Sequence, residues 1–228
     1  FTVGLAAYIP VLEGLHFFTV KELWFRISSF WTRIFAVSFG MGVVSGIIVP
    51  FQFGTNWSRC SDATADIISP MMAYEGFMAF ALAATFRGVL LFARKLVPPW
   101  AHFLAAVMVC IGTLFSSFWI LATNSWMQTP QGCRLADGRF EPLDWFAIVF
   151  NPSFPYRLAH NVTAFYITTG FVVLGVGAYL LRRDRSSQEA RLMVAMALDL
   201  LIVLVKIQRV RGERHGLPPL PSQPAKLA

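Results

Sequence analysis

Histidine and acidic side chains that stand in or beside apolar stretches are the residues of this sequence best suited to chemistry. His160 begins one such stretch, and Glu75 stands inside another. Because ionisable side chains are expensive inside a membrane, those found there usually serve an ion path, a cofactor or a buried charge pair. An imidazole is a common protein ligand of haem iron, and a carboxyl group can carry a proton or contact a cofactor.

These residues also have simpler interpretations. His160 at a helix end could be an interfacial residue, and Glu75 could place a favourable negative charge at a helix N-terminus. For His102, which lies close to Trp100, we expect an interfacial role rather than metal ligation. Glu13 is a further acid inside a predicted helix. The residue types alone therefore leave the chemistry open.

Long apolar stretches must position these side chains. Hydrophobic residues make up 56% of the 228 residues and charged residues only 14%, whereas soluble domains carry about 25% charged residues. A helix needs about 20 apolar residues to span a bilayer, and six stretches approach this length: 1–19, 30–51, 72–92, 102–123, 160–181 and 192–207. The sequence thus predicts an all-α membrane protein, a bundle of about six transmembrane helices over residues 1–207.

The distribution of Lys and Arg predicts how the bundle is oriented. These residues are more frequent in the connections after the first, third and fifth helices than in those after the second and fourth. By the positive-inside rule, the first set faces the cytoplasm. The start of the first helix and the segment 206–228 are therefore expected on the outer side. The net charge of +7 fits this topology, and no basic stripe with interleaved aromatic residues indicates nucleic-acid binding.

The C-terminal segment 208–228 differs in composition from the bundle. Its Gly and Pro residues predict turns, and it contains Glu213, His215 and Lys226. Such a loop could hydrogen-bond a quinone headgroup, or it could be a solvated surface loop. The chain begins with Phe1 in an apolar stretch and ends abruptly, so we expect a fragment of a longer protein.

Three cysteines, Cys60, Cys110 and Cys133, are present without a metal-binding spacing. Cys110 falls in the middle of a predicted helix, where it is most simply a small apolar residue. Cys60 and Cys133 fall in two connections predicted on the same side of the membrane. A disulfide could join them, but the sequence alone does not establish the pairing.

Several long motifs resemble subunit I of cytochrome bd-type quinol oxidases. They occur in the same order as in that family and extend over essentially the whole chain. Their sequences are more similar to the cyanide-insensitive branch than to the enteric one. The motifs are 51–57 (FQFGTNW), 74–80 (YEGFMAF), 119–130 (WILATNSWMQTP), 151–152 (NP) followed by His160, 212–216 (GERHG) and 223–226 (QPAK).

The resemblance implies an activity and a role for each candidate residue. Family members oxidise quinol at the outer face and reduce oxygen to water at a pair formed by a high-spin haem b and haem d. A low-spin haem b carries electrons from the quinol to this pair. His160 matches the axial ligand of the low-spin haem b, and Glu75 matches an acid near the high-spin haems. Lys226, with His215 and Glu213, matches the start of the external quinol-binding loop, 208–228.

The resemblance also implies partners and a location. We expect the chain to be the N-terminal part of subunit I in a respiratory chain, with oxidase subunit II, membrane quinol and oxygen as partners. The expected location is the bacterial cytoplasmic membrane.

Two departures from the family pattern favour an alternative. Ala83 stands where the family has an acid two turns after Glu75, and Pro50 replaces an acid before the FQFGTNW motif. Neither side chain can exchange a proton. The alternative is a non-enzymatic membrane haem-binding relative that lacks oxygen-reducing activity.

Overall fold

The computed structural model of the chain describes residues 1–76, 80–93 and 96–216, leaving out the side chains at 47, 50, 80–84 and 210–216. Helices account for most of these residues, which confirms the predicted all-α class. The helices are α1 (Thr2–Thr19), α2 (Glu22–Thr55), α3 (Ser58–Tyr74), α4 (Phe80–Phe92), α5 (Pro99–Gln128), α6 (Trp145–Val149), α7 (Phe154–Arg183) and α8 (Gln188–Gly216). Strands β1 (Cys133–Ala136) and β2 (Arg139–Pro142) form an antiparallel hairpin between α5 and α6.

Within the described ranges, α1, α2, α5 and α7 are long and apolar enough to cross a membrane. The described part of α4 has 13 residues, or about 20 Å at 1.5 Å per residue, which is shorter than a bilayer core of about 30 Å. In α8, Asp199 and Lys206 interrupt the apolar run. Only 6% of the most apolar stretch of α2 is buried, so this apolar surface faces lipid or another protein.

The predicted third helix, 72–92, differs most from the structure. Helix α3 ends at Tyr74, Glu75 and Gly76 continue as a π-helical turn, and α4 is described from Phe80, with 77–79 outside the described residues. Residues 58–71, predicted as part of a loop, belong to α3. This helix buries one face, formed by Thr64, Ile67, Ile68 and Met71, while its polar residues lie on the other. An amphipathic helix of this kind lacks the continuous apolar run that a search for membrane spans detects.

The other predicted helices are found, but most of them extend beyond their apolar runs. Polar residues continue α2 and α7 at both ends and α5 at its C-terminal end, because hydrogen bonding along a helix does not require apolar side chains. At the C-terminus, α8 continues to Gly216, so 208–216, predicted as the start of a loop, is helical. Residues 217–228 lie outside the described part of the chain.

The chain divides into two compact units. Unit 1 comprises 1–39, 82–113 and 162–209, and unit 2 comprises 40–81, 114–161 and 210–228. The core of unit 1 includes Trp31, whose indole Nε1 donates to the Met193 sulfur at 3.2 Å. The core of unit 2 packs Trp126 and Phe154 with the buried face of α3. Each unit holds its own cluster of buried polar side chains.

Candidate functional site

Glu75 lies at the end of α3 in unit 2. Its backbone N–H donates to the carbonyls of Met71 and Met72 in the last turn, and its half-buried carboxylate Oε1 accepts a hydrogen bond of 2.7 Å from Ser116 Oγ on α5. The interpretation as an N-terminal helix charge is therefore wrong, because Glu75 follows the last residue of α3 and lies in a π-helical turn rather than at the start of a helix. The helix dipole thus gives no reason for an acid at this position, and Ser116 is its identified hydrogen-bond donor.

The structure does not test the role of Ala83 and Pro50, the two positions that depart from the family pattern. Ala83 lies within α4, but its side chain is outside the described residues, as are residues 77–79. The side chain of Pro50, within α2, is also outside them. Glu75 and Gly76 form a π-helical turn after α3, and α4 is described from Phe80, so the predicted common helix face of Glu75 and Ala83 stays a prediction.

His160 lies in the second turn of α7, one turn after an arginine with unused donor capacity. Nη1 of Arg157 donates to Asn124 Oδ1 at 3.0 Å, while its buried Nε has no hydrogen-bond partner. Because α7 begins at Phe154 rather than at 160, His160 does not open the helix as predicted. A histidine and a guanidinium on successive turns suit an iron porphyrin, whose propionates are anions that pair well with arginine.

A buried hydrogen-bond network fixes the start of α7 against the end of α5. The hydroxyl of Ser125 donates to Asn151 Oδ1 at 2.6 Å, and Asn151 Nδ2 donates to the Ile148 carbonyl at 3.1 Å. Both Ser125 and Asn151 are fully buried. The Asn151 carbonyl accepts the backbone N–H of Phe154, the first residue of α7. The network therefore holds the segment that brings Arg157 to Asn124.

Unit 1 contains a polar cluster that the sequence reasoning missed. His102 on α5 is 3% exposed, so the expected interfacial role is wrong. Its Nδ1 lies 3.1 Å from Glu13 Oε2, and its Nε2 lies 3.1 Å from the Leu90 carbonyl. Ser28 Oγ on α2 donates to Glu13 Oε1. Glu13 and His102 are 89 positions apart, a separation that no local spacing rule connects.

The predicted quinol-binding residues give no contacts. Lys226 lies outside the described residues. Glu213 and His215 belong to the last turn of α8, and their side chains are outside the description as well. Their contact with a quinol therefore stays a prediction.

All three cysteines are free thiols in the structure. Cys60 is exposed on α3, and Cys133 is half-buried on β1. Burial raises the pKa of the Cys133 thiol, partly offset by a hydrogen bond with Trp126. The disulfide that the sequence left open is not formed.

Among the described residues, no three His, Cys, Asp or Glu side chains come together, as a metal site built wholly from protein ligands requires.

The fold and these clusters define a class of protein: a helical integral membrane protein with ionisable side chains held among its helices. The family model for cytochrome bd terminal oxidase subunit I matches residues 1–228. The chain belongs to that family.

Individual relatives agree with this assignment. The chain is 32% identical over 231 residues to the cytochrome bd-II ubiquinol oxidase subunit 1 of Escherichia coli (strain K12), covering 100% of the chain and 45% of the relative. It is 34% identical over 184 residues to the cytochrome bd ubiquinol oxidase subunit 1 of Bacillus subtilis (strain 168), covering 81% and 39%. A solved structure of bd oxidase from Geobacillus thermodenitrificans matches with a TM-score of 0.91 and 26% identity, covering 100% and 52%. The chain thus spans about half the length of these relatives.

Proposed function

We propose that the chain is the N-terminal part of subunit I of a cytochrome bd-type terminal oxidase, which oxidises quinol and reduces oxygen to water in an aerobic respiratory chain. The observation that carries the proposal is the pair His160 and Arg157 on successive turns of α7, with the Arg157 Nε buried and unpartnered. Relatives named as ubiquinol oxidase subunits match along the chain.

His160 is the proposed axial ligand of a low-spin haem b. Arg157 would hold a propionate through its free Nε–H, while its bond to Asn124 orients the guanidinium. A haem bound here supplies a one-electron carrier between quinol and the oxygen-reducing haems. The protein positions the imidazole through α7, whose start is fixed by the Asn151 network described above.

Glu75 is the proposed acid near the high-spin haem b and haem d. Its carboxyl group would hold a proton at Oε1 or Oε2, and the Ser116 hydroxyl stabilises the ionised form by donating to Oε1. Oxygen reduction consumes protons in a region that lipid keeps dry, so such a proton carrier is required.

The quinol-binding site is proposed for the segment 208–228, with Lys226, His215 and Glu213 as hydrogen-bonding residues. Ammonium and imidazole groups can donate hydrogen bonds to a quinone oxygen. The distribution of Lys and Arg among the other connections supports an outer location for this segment and for the start of α1, although the basic residues of the segment itself go against the positive-inside rule. The proposed partner is oxidase subunit II in the bacterial cytoplasmic membrane.

A second candidate is a membrane haem-binding relative that does not reduce oxygen. Ala83 and Pro50, which replace two acids of the family pattern, favour it. Quinol-driven oxygen uptake by the full-length protein, compared at equal haem content with an Ala83→Glu variant, separates the two. Absence of uptake in both proteins supports the haem-binding relative, and weak uptake that the variant increases indicates an oxidase with an impaired proton route. Vigorous uptake by the unmodified protein supports a working oxidase in which the acid at position 83 is not limiting.

The reduced-minus-oxidised spectrum of the full-length protein in membranes tests the haem assignment. His160→Ala is expected to remove the low-spin haem b signal, because the iron loses an axial ligand. A matched control is His16→Ala, since His16 Nδ1 lies near the Lys21 carbonyl in an exposed position. An unchanged low-spin spectrum in His160→Ala would refute the assignment.

A further inference from the structure

The Glu13–His102 cluster lies at one end of unit 1. Glu13 is six residues before the end of α1 at Thr19, and Ser28 is six residues after the start of α2 at Glu22, which places each about 9 Å from a helix end. His102 is three residues into α5, and Leu90 is two residues before the end of α4. The cluster therefore lies close to the α1–α2 and α4–α5 connections.

The hydrogen-bond geometry determines how many protons the pair holds. A backbone carbonyl only accepts, so the His102 Nε2 that faces the Leu90 carbonyl must carry a hydrogen. The other nitrogen, Nδ1, lies 3.1 Å from Glu13 Oε2. If no proton lay between these two atoms, two lone pairs would face each other in a buried site. The pair therefore holds one shared proton, either on Glu13 or on His102.

This shared proton keeps the pair neutral overall. Its loss would leave a net negative charge among buried helices, and a second proton would leave a net positive charge. Both changes are unfavourable, because an unpaired ion in a buried site loses its hydration. Because Glu13 is 4% exposed and His102 is 3% exposed, little water is available to reduce that penalty. The two side chains therefore lose or gain a proton as one unit.

A buried hydroxyl extends the polar path away from the helix ends. Thr32 lies four residues after Ser28, about 6 Å further along α2, and its buried Oγ1 has no hydrogen-bond partner in the described structure. A buried hydroxyl in this state is typically satisfied by an ordered water. A water between Ser28 and Thr32 would accept a proton from the Glu13 side and pass it inward.

The other charged residues and histidines on the described helices of unit 1 must also be considered. They are His16 on α1, Glu22, Arg26 and Arg33 on α2, Arg87 on α4, Arg182 and Arg183 on α7, and Glu189, Arg191, Asp199, Lys206 and Arg209 on α8. Arg26 and Glu189 pair with each other at 3.4 Å, and the Arg87 guanidinium lies 4.5 Å from the Phe39 ring centroid. Helix α5 carries no charged side chain besides His102. Arg94 and Lys95 follow α4 and lie outside the described residues.

We propose that Glu13 and His102 form a proton-exchange site that takes one proton from water at the cytoplasmic end of the bundle and passes it inward. In each cycle, the shared proton moves to a water bonded to the Ser28 and Thr32 hydroxyls, and the pair recovers a proton from water at the helix ends. The cytoplasmic assignment and the need for protons rest on the proposed function. The sharing of one proton rests on the geometry of the pair alone.

Infrared difference spectroscopy of the full-length complex in membranes tests the site by pH titration in H2O and D2O. The unmodified protein is expected to show a D2O-sensitive carboxylic acid band that changes together with a histidine ring band, at one common midpoint. Glu13→Gln keeps the side-chain volume and should remove the carboxylic acid band. His102→Gln should abolish the common titration. Glu189→Gln, which removes an acid from the same unit, is the matched control and should leave both bands unchanged.

Three results would overturn the proposal. The first is a carboxylic acid band that persists in Glu13→Gln, and the second is separate midpoints for the two bands. The third is that both bands stay constant at every pH at which the complex stays folded, which is the behaviour of a static structural contact. Isotope-labelled histidine and glutamate allow the unmodified protein to decide the question if a variant fails to assemble.

The pH dependence of oxygen uptake tests whether the site delivers protons. In Glu13→Gln, quinol-driven oxygen uptake is expected to fall severalfold at alkaline pH and less at acidic pH, where protons are abundant, with the haem content unchanged. A uniform decrease at every pH would refute delivery through this site. The equilibrium titration needs no quinol oxidation, so absence of oxidase activity would contradict the proposed function without removing the exchange site.

Discussion

At the scale of residues, two acids in separate units share one arrangement. Ser28 donates to Glu13 in unit 1, and Ser116 donates to Glu75 in unit 2. A serine hydroxyl stabilises a carboxylate and still permits its protonation, since it can also act as an acceptor. The two acids differ in their second neighbour, because His102 shares a proton with Glu13. We therefore expect Glu75 to depend more strongly on its serine.

Removal of that serine hydroxyl should slow turnover without changing the low-spin haem. A hydrogen bond to a charged group contributes about 1.5–3 kcal/mol, so Ser116→Ala in the full-length protein is expected to reduce oxygen uptake about tenfold or more. Ser116→Thr retains the hydroxyl and should preserve most of the activity.

Ser45→Ala is the matched control for this prediction, because Ser45 Oγ donates to carbonyls of its own helix. Oxygen uptake at equal haem content is the measurement. Full activity in Ser116→Ala would show that Glu75 does not require this donor.

Residue types in the sequence identified Glu75 and His160 but not their partners. Both stand out because an ionisable group is rare in an apolar stretch. Arg157 and Ser116 are unremarkable in sequence, and they become informative only because α5 and α7 place them beside Asn124 and Glu75. His102 was assigned to the interface because Trp100 lies two residues earlier, yet it is buried. Contacts between distant helices are not encoded in local spacing.

At the scale of elements, apolar length predicted α1, α2, α5 and α7 well. Their spans follow from a physical requirement, since an uninterrupted apolar run must cross the bilayer core. The same criterion missed most of α3, because the polar face of this helix interrupts the apolar run. Helix ends were also missed, because they depend on capping and tertiary contacts. At α6, for example, Asp144 accepts hydrogen bonds from the N–H groups of Phe146 and Ala147.

Close contact between α1 and α7 yields a stability prediction. A Cβ added at Gly4 would lie 2.6 Å from the Phe165 carbonyl oxygen and closer still to Thr169 Oγ1, so Gly4→Ala would force the helices apart. Overpacking of this kind destabilises by about 1–3 kcal/mol. We expect a lower thermal midpoint for the purified full-length protein.

Gly175→Ala on α7 is the control for Gly4, because a Cβ there meets nothing within 4 Å. Alanine also favours the helix over glycine by about 1 kcal/mol, so this variant should be unchanged or slightly more stable. Equal midpoints for both variants would contradict the tight α1–α7 contact.

At the scale of the whole molecule, orientation in the membrane connects the proposals. The outer side is proposed for the quinol segment 208–228, and the cytoplasmic side for the Glu13–His102 cluster. The positive-inside rule gives both assignments from the same distribution of Lys and Arg. One measurement of sidedness therefore tests both together.

Thiol labelling in right-side-out vesicles provides that measurement. Cys60 is exposed on α3 and is predicted on the outer side, so a membrane-impermeant maleimide should label it in a Cys110→Ser/Cys133→Ser background. A cysteine introduced by Ser186→Cys, in the connection between α7 and α8, should react only after permeabilisation. The reverse pattern would invert the topology and move the proposed quinol segment to the cytoplasmic side.

The length of α2 makes the protein sensitive to membrane thickness in one direction. Its 34 residues extend about 51 Å, but its predicted apolar run after Arg33, 34–51, covers only about 27 Å and lies close to the hydrocarbon thickness of a typical bilayer. A bilayer of longer acyl chains would draw Arg33 towards the hydrocarbon, whereas one of shorter chains would expose only apolar side chains. Lipids with long acyl chains should therefore impair the protein sooner than lipids with short ones.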